Sequence, residues 1–241
     1  MPTLRAVARL IGFLAALTYY ATPLWVRAAF GKIDWDHHQR VKQRFCRKAM
    51  DILGIRLTVH GKPYEGRSCV YASNHRSWLD PFADMASFWA FPVAKAEVAS
   101  LPIVAQGAKA TGILFVNRGS RESRKAVVDE MVSALKSGFS ILIYPEGTTS
   151  TLPATKDFHR GGFVVAQDAG SPVVPVAIVY PDPSYHWGEG ESLWKNFVQV
   201  AGAKRTSVRL FIGEPIEVAD ANSARERTRA VIDEMILTAS S

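Results

Sequence analysis

Cysteine is scarce in this chain: its 241 residues include two, Cys46 and Cys69, and their spacing suits no metal. A disulfide-dense scaffold and a cysteine-built zinc centre are thereby excluded, and both thiols are read as reduced groups of a cytosol-facing protein. Internal repeats and low-complexity runs are missing too, which rules out a solenoid and a disordered chain. No Gly-x-Ser-x-Gly elbow is present, so a serine nucleophile of that type is not expected. Acidic side chains are short at one end. Residues 1–54 hold three of them against nine basic ones, and the net charge of +7 belongs almost wholly to that segment.

Residues 10–26 contain no charged side chain and are mostly Leu, Ile, Ala, Phe, Tyr and Trp. A run of this length is at the lower limit for crossing a hydrocarbon core of about 30 Å. Pro23, near its end, is expected to kink or close the helix. Arg5 and Arg9 before the run also suit a signal peptide, but Trp25 and Arg27 stand where small residues belong, and no Ala-x-Ala pattern follows. Residues 33–53 predict a second helix, with Val41, Phe45, Ala49 and Ile52 on one face and Arg40, Lys42, Arg44, Arg47 and Lys48 around the rest. A basic segment fits nucleic acid or an anionic lipid surface, and the apolar neighbour decides for lipid. Residues 1–54 are therefore expected to form a membrane-associated helical hairpin, with anionic lipids as partners and no nucleic acid.

Residues 55–241 alternate between short apolar runs and amphipathic stretches. Strands are predicted at 55–60, 69–72, 93–95, 113–116, 140–144, 173–180 and 207–212, with helices at 81–91, 121–136, 161–169 and 221–239. This order specifies an α/β layered domain with a largely parallel central sheet flanked by helices. In such sheets, sites form beyond the carboxyl ends of strands.

Three stretches at predicted strand ends carry chemistry. The first is Asn74-His75-x-x-x-x-Asp80. Histidine is the side chain best suited to take a proton near neutral pH, and a carboxylate on one ring nitrogen fixes its tautomer. Asp80 before Pro81 equally suits a helix N-cap, so the pair alone leaves both roles open. The second stretch, Tyr144-Pro145-Glu146-Gly147-Thr148-Thr149-Ser150, offers a carboxylate, a glycine and hydroxyls to a polyol or an anion, and is also an ordinary turn composition. The third runs from Gly112 to Arg118, whose guanidinium matches phosphate and equally a surface salt bridge.

The order of these stretches resembles the 1-acylglycerol-3-phosphate acyltransferase family, the bacterial lysophosphatidate acyltransferases. Its Asn-His-x4-Asp, Gly-x-Ile-x-x-x-x-Arg-like, Pro-Glu-Gly-Thr and Val-Pro-Val blocks are similar to Asn74–Asp80, 112–118, 145–148 and 174–176, and the resemblance covers about residues 55–215. Lys95, and Arg160 in Phe158-His159-Arg160-Gly161, resemble further basic positions of the family. The resemblance implies that His75 is the base and Asp80 its orienting carboxylate. It also implies that Asn74, Lys95, Arg118, Glu146, Gly147, Thr148 and Arg160 serve substrate binding. No metal or resident cofactor is implied. An acyl-CoA or acyl carrier protein would donate the acyl group to a lysolipid hydroxyl at a membrane, in a bacterium at the cytoplasmic face of the inner membrane. One position departs from the pattern: many lysophosphatidate enzymes resemble Glu-Gly-Thr-Arg-Ser where this chain has Thr149. Lyso-ornithine lipid or another lysophospholipid is therefore an alternative acceptor, and hydrolysis of an acyl ester or thioester an alternative reaction.

Overall fold

Apolar residues alternate along the central strands, and successive side chains of a strand point to opposite faces. Tyr71, Leu142, Val174, Val176 and Ile178 fill one core, while Val70, Ala72, Ile141, Ile143, Val173 and Ala177 fill another. A sheet with two apolar faces must be covered on both, so a three-layer sandwich follows. The computed structural model describes residues 2–96, 111–117 and 119–240.

Seven strands form one sheet: β1 (Ile55–His60), β2 (Val70–Ser73), β3 (Phe91–Lys95), β4 (Leu114–Val116), β5 (Ile141–Ile143), β6 (Val173–Val179) and β7 (Thr206–Ile212), in the order β1-β7-β6-β2-β5-β3-β4. Every pairing is parallel except β6 with β7. Helices α1 (Pro2–Ala29), α2 (Trp35–Leu53), α3 (Asp80–Ser87) and α6 (Leu193–Gly202) lie over the first core. Helices α4 (Arg121–Lys136), α5 (Gly161–Ala169) and α7 (Ala221–Ser240) lie over the second. Pro175 is paired with Ala72 inside the sheet. Its missing donor falls on the β7 side, just beyond the last regular pair at Ile212, where its carbonyl still accepts from Gly213 N–H at 2.9 Å, so the proline costs one bond at the end of the ladder.

Helix α1 departs from expectation in two ways. It continues through Pro23 to Ala29, because its outer side is exposed there and the carbonyl freed by the proline needs no partner in the protein. Two of its basic residues are also engaged within the fold. Arg5 donates to the Gly202 carbonyl, and Arg9 donates to the carbonyls of Ala201, Ala203 and Lys204, so both satisfy the open C-terminal end of α6. Gly54, at φ +74°, leaves the space that the Arg9 guanidinium fills. Leu4, Val7, Ile11 and Leu14, spaced three and four apart, are exposed along one side of α1. The helix is long and apolar enough to cross a membrane by length and composition.

Lys42 is a second correction. It does not share the solvated face of α2; it is 6 % exposed, and its ammonium donates to the Ala90 and Thr111 carbonyls at 2.7 and 3.0 Å. A lysine stem is long enough to cross the helix surface and carry its head to the carbonyls of Ala90, just before β3, and Thr111, shortly before β4. Burial pulls its pKa down to about 7. The cysteines are free and buried, and burial pushes both thiols up to about 12.

The Lys42 shift has a definite sign. Between about 7 and the ordinary value of 10.5 the unfolded chain binds a proton that the folded chain does not, so stability rises with pH across that window and is flat below it. Denaturant melts at pH 7 and pH 9 should show this gain in the native protein. Lys42→Met should remove it, and an equal gain in that variant would refute the assignment.

Candidate active site

The loop leaving β2 is shaped by hydrogen bonds that its own sequence supplies. Asn74 is fully buried; its amide donates to the Ile178 carbonyl at 3.0 Å and accepts from the Ile178 N–H at 2.6 Å. The expected substrate ligand is thus engaged with the β6 backbone, pinning the exit of one strand to its neighbour. Trp187 N–H closes on the Arg76 carbonyl at 2.7 Å, and Ser150 N–H on the His75 carbonyl at 2.9 Å. The loop cannot swing without breaking bonds to three other segments.

Within it, His75 Nδ1 lies 2.7 Å from Asp80 Oδ2. The same oxygen accepts from the N–H groups of Arg76 and Ser77 at 2.5 and 2.8 Å. A carboxylate with these donors is an acceptor, so the ring proton sits on Nδ1 and Nε2 is left as the basic nitrogen. Asp80 opens α3, yet its side chain turns back to the loop, and α3 starts without a side-chain cap. Asp80 thus contacts His75 and does not cap α3. His75 has 20 % of its side chain exposed while Asp80 has none, so the ring reaches solvent and its partner does not.

A Tyr144 ring lies flat against His75, with centroids 4.2 Å apart and planes 20° apart. Its hydroxyl donates to Asp84 Oδ2 at 2.6 Å. Burial holds the Asp84 carboxyl well above the usual carboxylate range and raises the Tyr144 phenol too.

Glu146 is buried and braces the loop from the β5 side. One carboxylate oxygen accepts from His75 N–H and the other from Lys156 N–H, both at 2.9 Å. Burial raises its pKa, opposed by those two N–H groups and by Arg76. Gly147 follows at φ +77°, a conformation that suits glycine, in a turn closed by its N–H on the Tyr144 carbonyl. Thr148 is half-buried in that turn, and Thr149 is buried. Arg76, 2 % exposed, directs its guanidinium to the Ser150 and Pro153 carbonyls.

Two further expected residues lie on the same sheet edge. Exposed Lys95 ends β3, one strand beyond β5, and exposed Arg160 immediately precedes α5 on the segment returning along Pro145 and Glu146. Arg118 lies outside the described residues. Among the described residues, no cluster of acidic, cysteine and histidine side chains could hold a metal ion.

A family model described as Acyltransferase matches residues 56–179, a span that holds the His75 loop, the Glu146 turn and β6. The chain belongs to the acyltransferase family. A lyso-ornithine lipid O-acyltransferase of Pseudomonas aeruginosa is 32% identical over 93% of this chain and 90% of its own. A 1-acyl-sn-glycerol-3-phosphate acyltransferase of Neisseria meningitidis is 30% identical over 68% of this chain and 66% of its own. The 1-acyl-sn-glycerophosphate acyltransferase of Thermotoga maritima has the same fold, at a TM-score of 0.74 and 21% identity, over 100% of this chain and 98% of that one.

In this acyltransferase, sequence reasoning missed the aromatic and carboxylate groups behind the dyad: Tyr144, Asp84 and Tyr180. A signal was present. Tyr144 and Tyr180 each follow directly on an apolar strand, where a buried phenol must find an acceptor.

Proposed function

We propose that this acyltransferase moves a fatty acyl group from an acyl thioester, acyl-CoA or acyl carrier protein, to the free hydroxyl of a lysolipid. The observation that carries the reading is His75: its Nδ1 is bound to Asp80, leaving Nε2 as a base at the partly exposed tip of a rigid loop. The acceptor hydroxyl gives its proton to Nε2 while its oxygen attacks the thioester carbonyl carbon. The carbon–sulfur bond then breaks, and His75 returns the proton to the departing thiolate. Asp80 orients the ring and faces the imidazolium that forms between these steps. No acyl-enzyme is formed.

The acceptor assigned first is 1-acylglycerol 3-phosphate, giving phosphatidic acid, with Arg118, Lys95 and Arg160 as the cations for its phosphate. A second reading, lyso-ornithine lipid, is favoured by Thr149, which puts a buried hydroxyl where the phosphate enzymes resemble an arginine. The Pseudomonas relative named for that acceptor also spans nearly the whole chain. Asn74, Glu146, Gly147 and Thr148 then shape the glycerol side of the site by holding the two loops in register.

Residues 1–54 serve as the membrane anchor, residues 55–241 as the catalytic body, and the site works at the bilayer surface, in a bacterium on the cytoplasmic face. The exposed apolar side of α1 supports this, and Arg5 and Arg9 tie that helix to the body. Salt washing of membranes should leave the protein bound and detergent should release it; release by salt alone would take α1 out of the bilayer.

The decisive assay follows acyl transfer to a panel of lysolipids. His75→Ala should lose at least about 100-fold in kcat while remaining folded. A folded, active His75→Ala variant would sink the mechanism. Arg118→Ala should hurt 1-acylglycerol 3-phosphate more than lyso-ornithine lipid, and equal losses would remove Arg118 from the phosphate site.

A further inference from the structure

One oxygen of Asp80 is explained by the loop that holds His75; the other is not. Asp80 Oδ1 accepts a hydrogen bond of 2.6 Å from the hydroxyl of Tyr180, a residue 100 positions away at the end of β6. Both side chains are buried, at 0 % and 4 % exposure. Burial first, and then the Asp80 charge, raise the Tyr180 phenol well above its ordinary value, so it stays a protonated donor. The same end of β6 carries Ile178, which Asn74 grips from the β2 side. His186 meets the Tyr180 ring edge-on at 5.9 Å and leaves the hydroxyl to Asp80.

We propose that Tyr180 is a positioning residue of the transfer reaction: its hydroxyl fixes the far oxygen of Asp80 and thereby limits how strongly that carboxylate holds a proton on His75. The inference rests on the reading of His75 as the base. Its physical basis is that a carboxylate with both oxygens hydrogen-bonded spreads its charge over more donors and attracts the neighbouring imidazolium less. Tyr180 lies behind Asp80, where its hydroxyl also meets the Ser77 side chain of the same loop, so it acts on the base from behind and leaves substrate affinity alone. Its partner is brought to it by the parallel pairing of β2 with β6.

Kinetics over a range of pH test this with full-length protein in detergent–lysolipid micelles. Tyr180→Phe removes one oxygen and keeps the ring. It should lower kcat by about 10-fold at unchanged KM and move the acid limb of the kcat profile to higher pH by about half a unit. In an Asp80→Asn background the same change should cost nothing further, because the route through the carboxylate is already gone. If Tyr180→Phe does not fold, 3-fluorotyrosine at position 180 keeps the shape and donates more strongly, and it should move the acid limb to lower pH. A kcat within twofold of the native enzyme with an unmoved limb, or losses that multiply in the Asp80→Asn background, would overturn the proposal. An unmoved limb with 3-fluorotyrosine would do the same. If His75→Ala is inactive and these losses still multiply, this inference alone fails; if His75→Ala is active, the function reading fails with it.

Discussion

Asp80 is a carboxylate with no exposed surface, and burying one is costly unless each oxygen finds donors. Its two oxygens take four: the His75 ring, two backbone N–H groups of its own loop, and the Tyr180 hydroxyl. Satisfying them requires the loop after β2 to fold back tightly, α3 to start without its usual cap, and β6 to end beside β2. The local shape of the site follows from that one group. Much of what surrounds it holds the same loop from other directions: Glu146 on the His75 N–H, Asn74 on Ile178, and Tyr144 beneath the imidazole ring.

The same loop connects to the N-terminal helices through aromatic packing. Trp78 donates to Asn196 of α6 and packs on Phe197 and Phe82, and Phe82 meets Phe13 of α1 and Phe45 of α2. These tilted and edge-to-face ring contacts run continuously from the loop of the base to the apolar helix. Arg5 and Arg9 complete the attachment by meeting the carbonyl end of α6.

Period-two and period-three-to-four patterns made the layered α/β fold legible, because each strand and helix buries one face against its neighbour. The reading failed where long-range partners decide. Lys42 counts as a surface cation by its spacing, and only the carbonyls of Ala90 and Thr111 bring it inside. Helix α6 has a short apolar pattern and is held by α1, so its stability comes from residues almost 200 positions away. The β6–β7 pair runs antiparallel, a choice of direction that apolar runs do not encode. In the site, the His75–Asp80 spacing is local and could be read, whereas Glu146 stands 71 positions from His75 and was picked out by the resemblance of its own stretch. That Tyr180 meets Asp80 and Tyr144 meets Asp84 was not legible, because these partners stand 100 and 60 positions apart in the chain. Asn74 was read as a substrate ligand from the resemblance alone, and the spacing gave no sign that its side chain also grips the Ile178 backbone across the sheet.

The central claim is that Asp80 holds the proton of His75 on Nδ1 and leaves Nε2 free to accept another. Nitrogen NMR of the folded enzyme, with its histidines labelled and His75 assigned through His75→Gln, reads that tautomer directly. At neutral to mildly alkaline pH the account predicts a protonated Nδ1 in a strong hydrogen bond and an unprotonated Nε2. A neutral ring with its proton on Nε2 would contradict it.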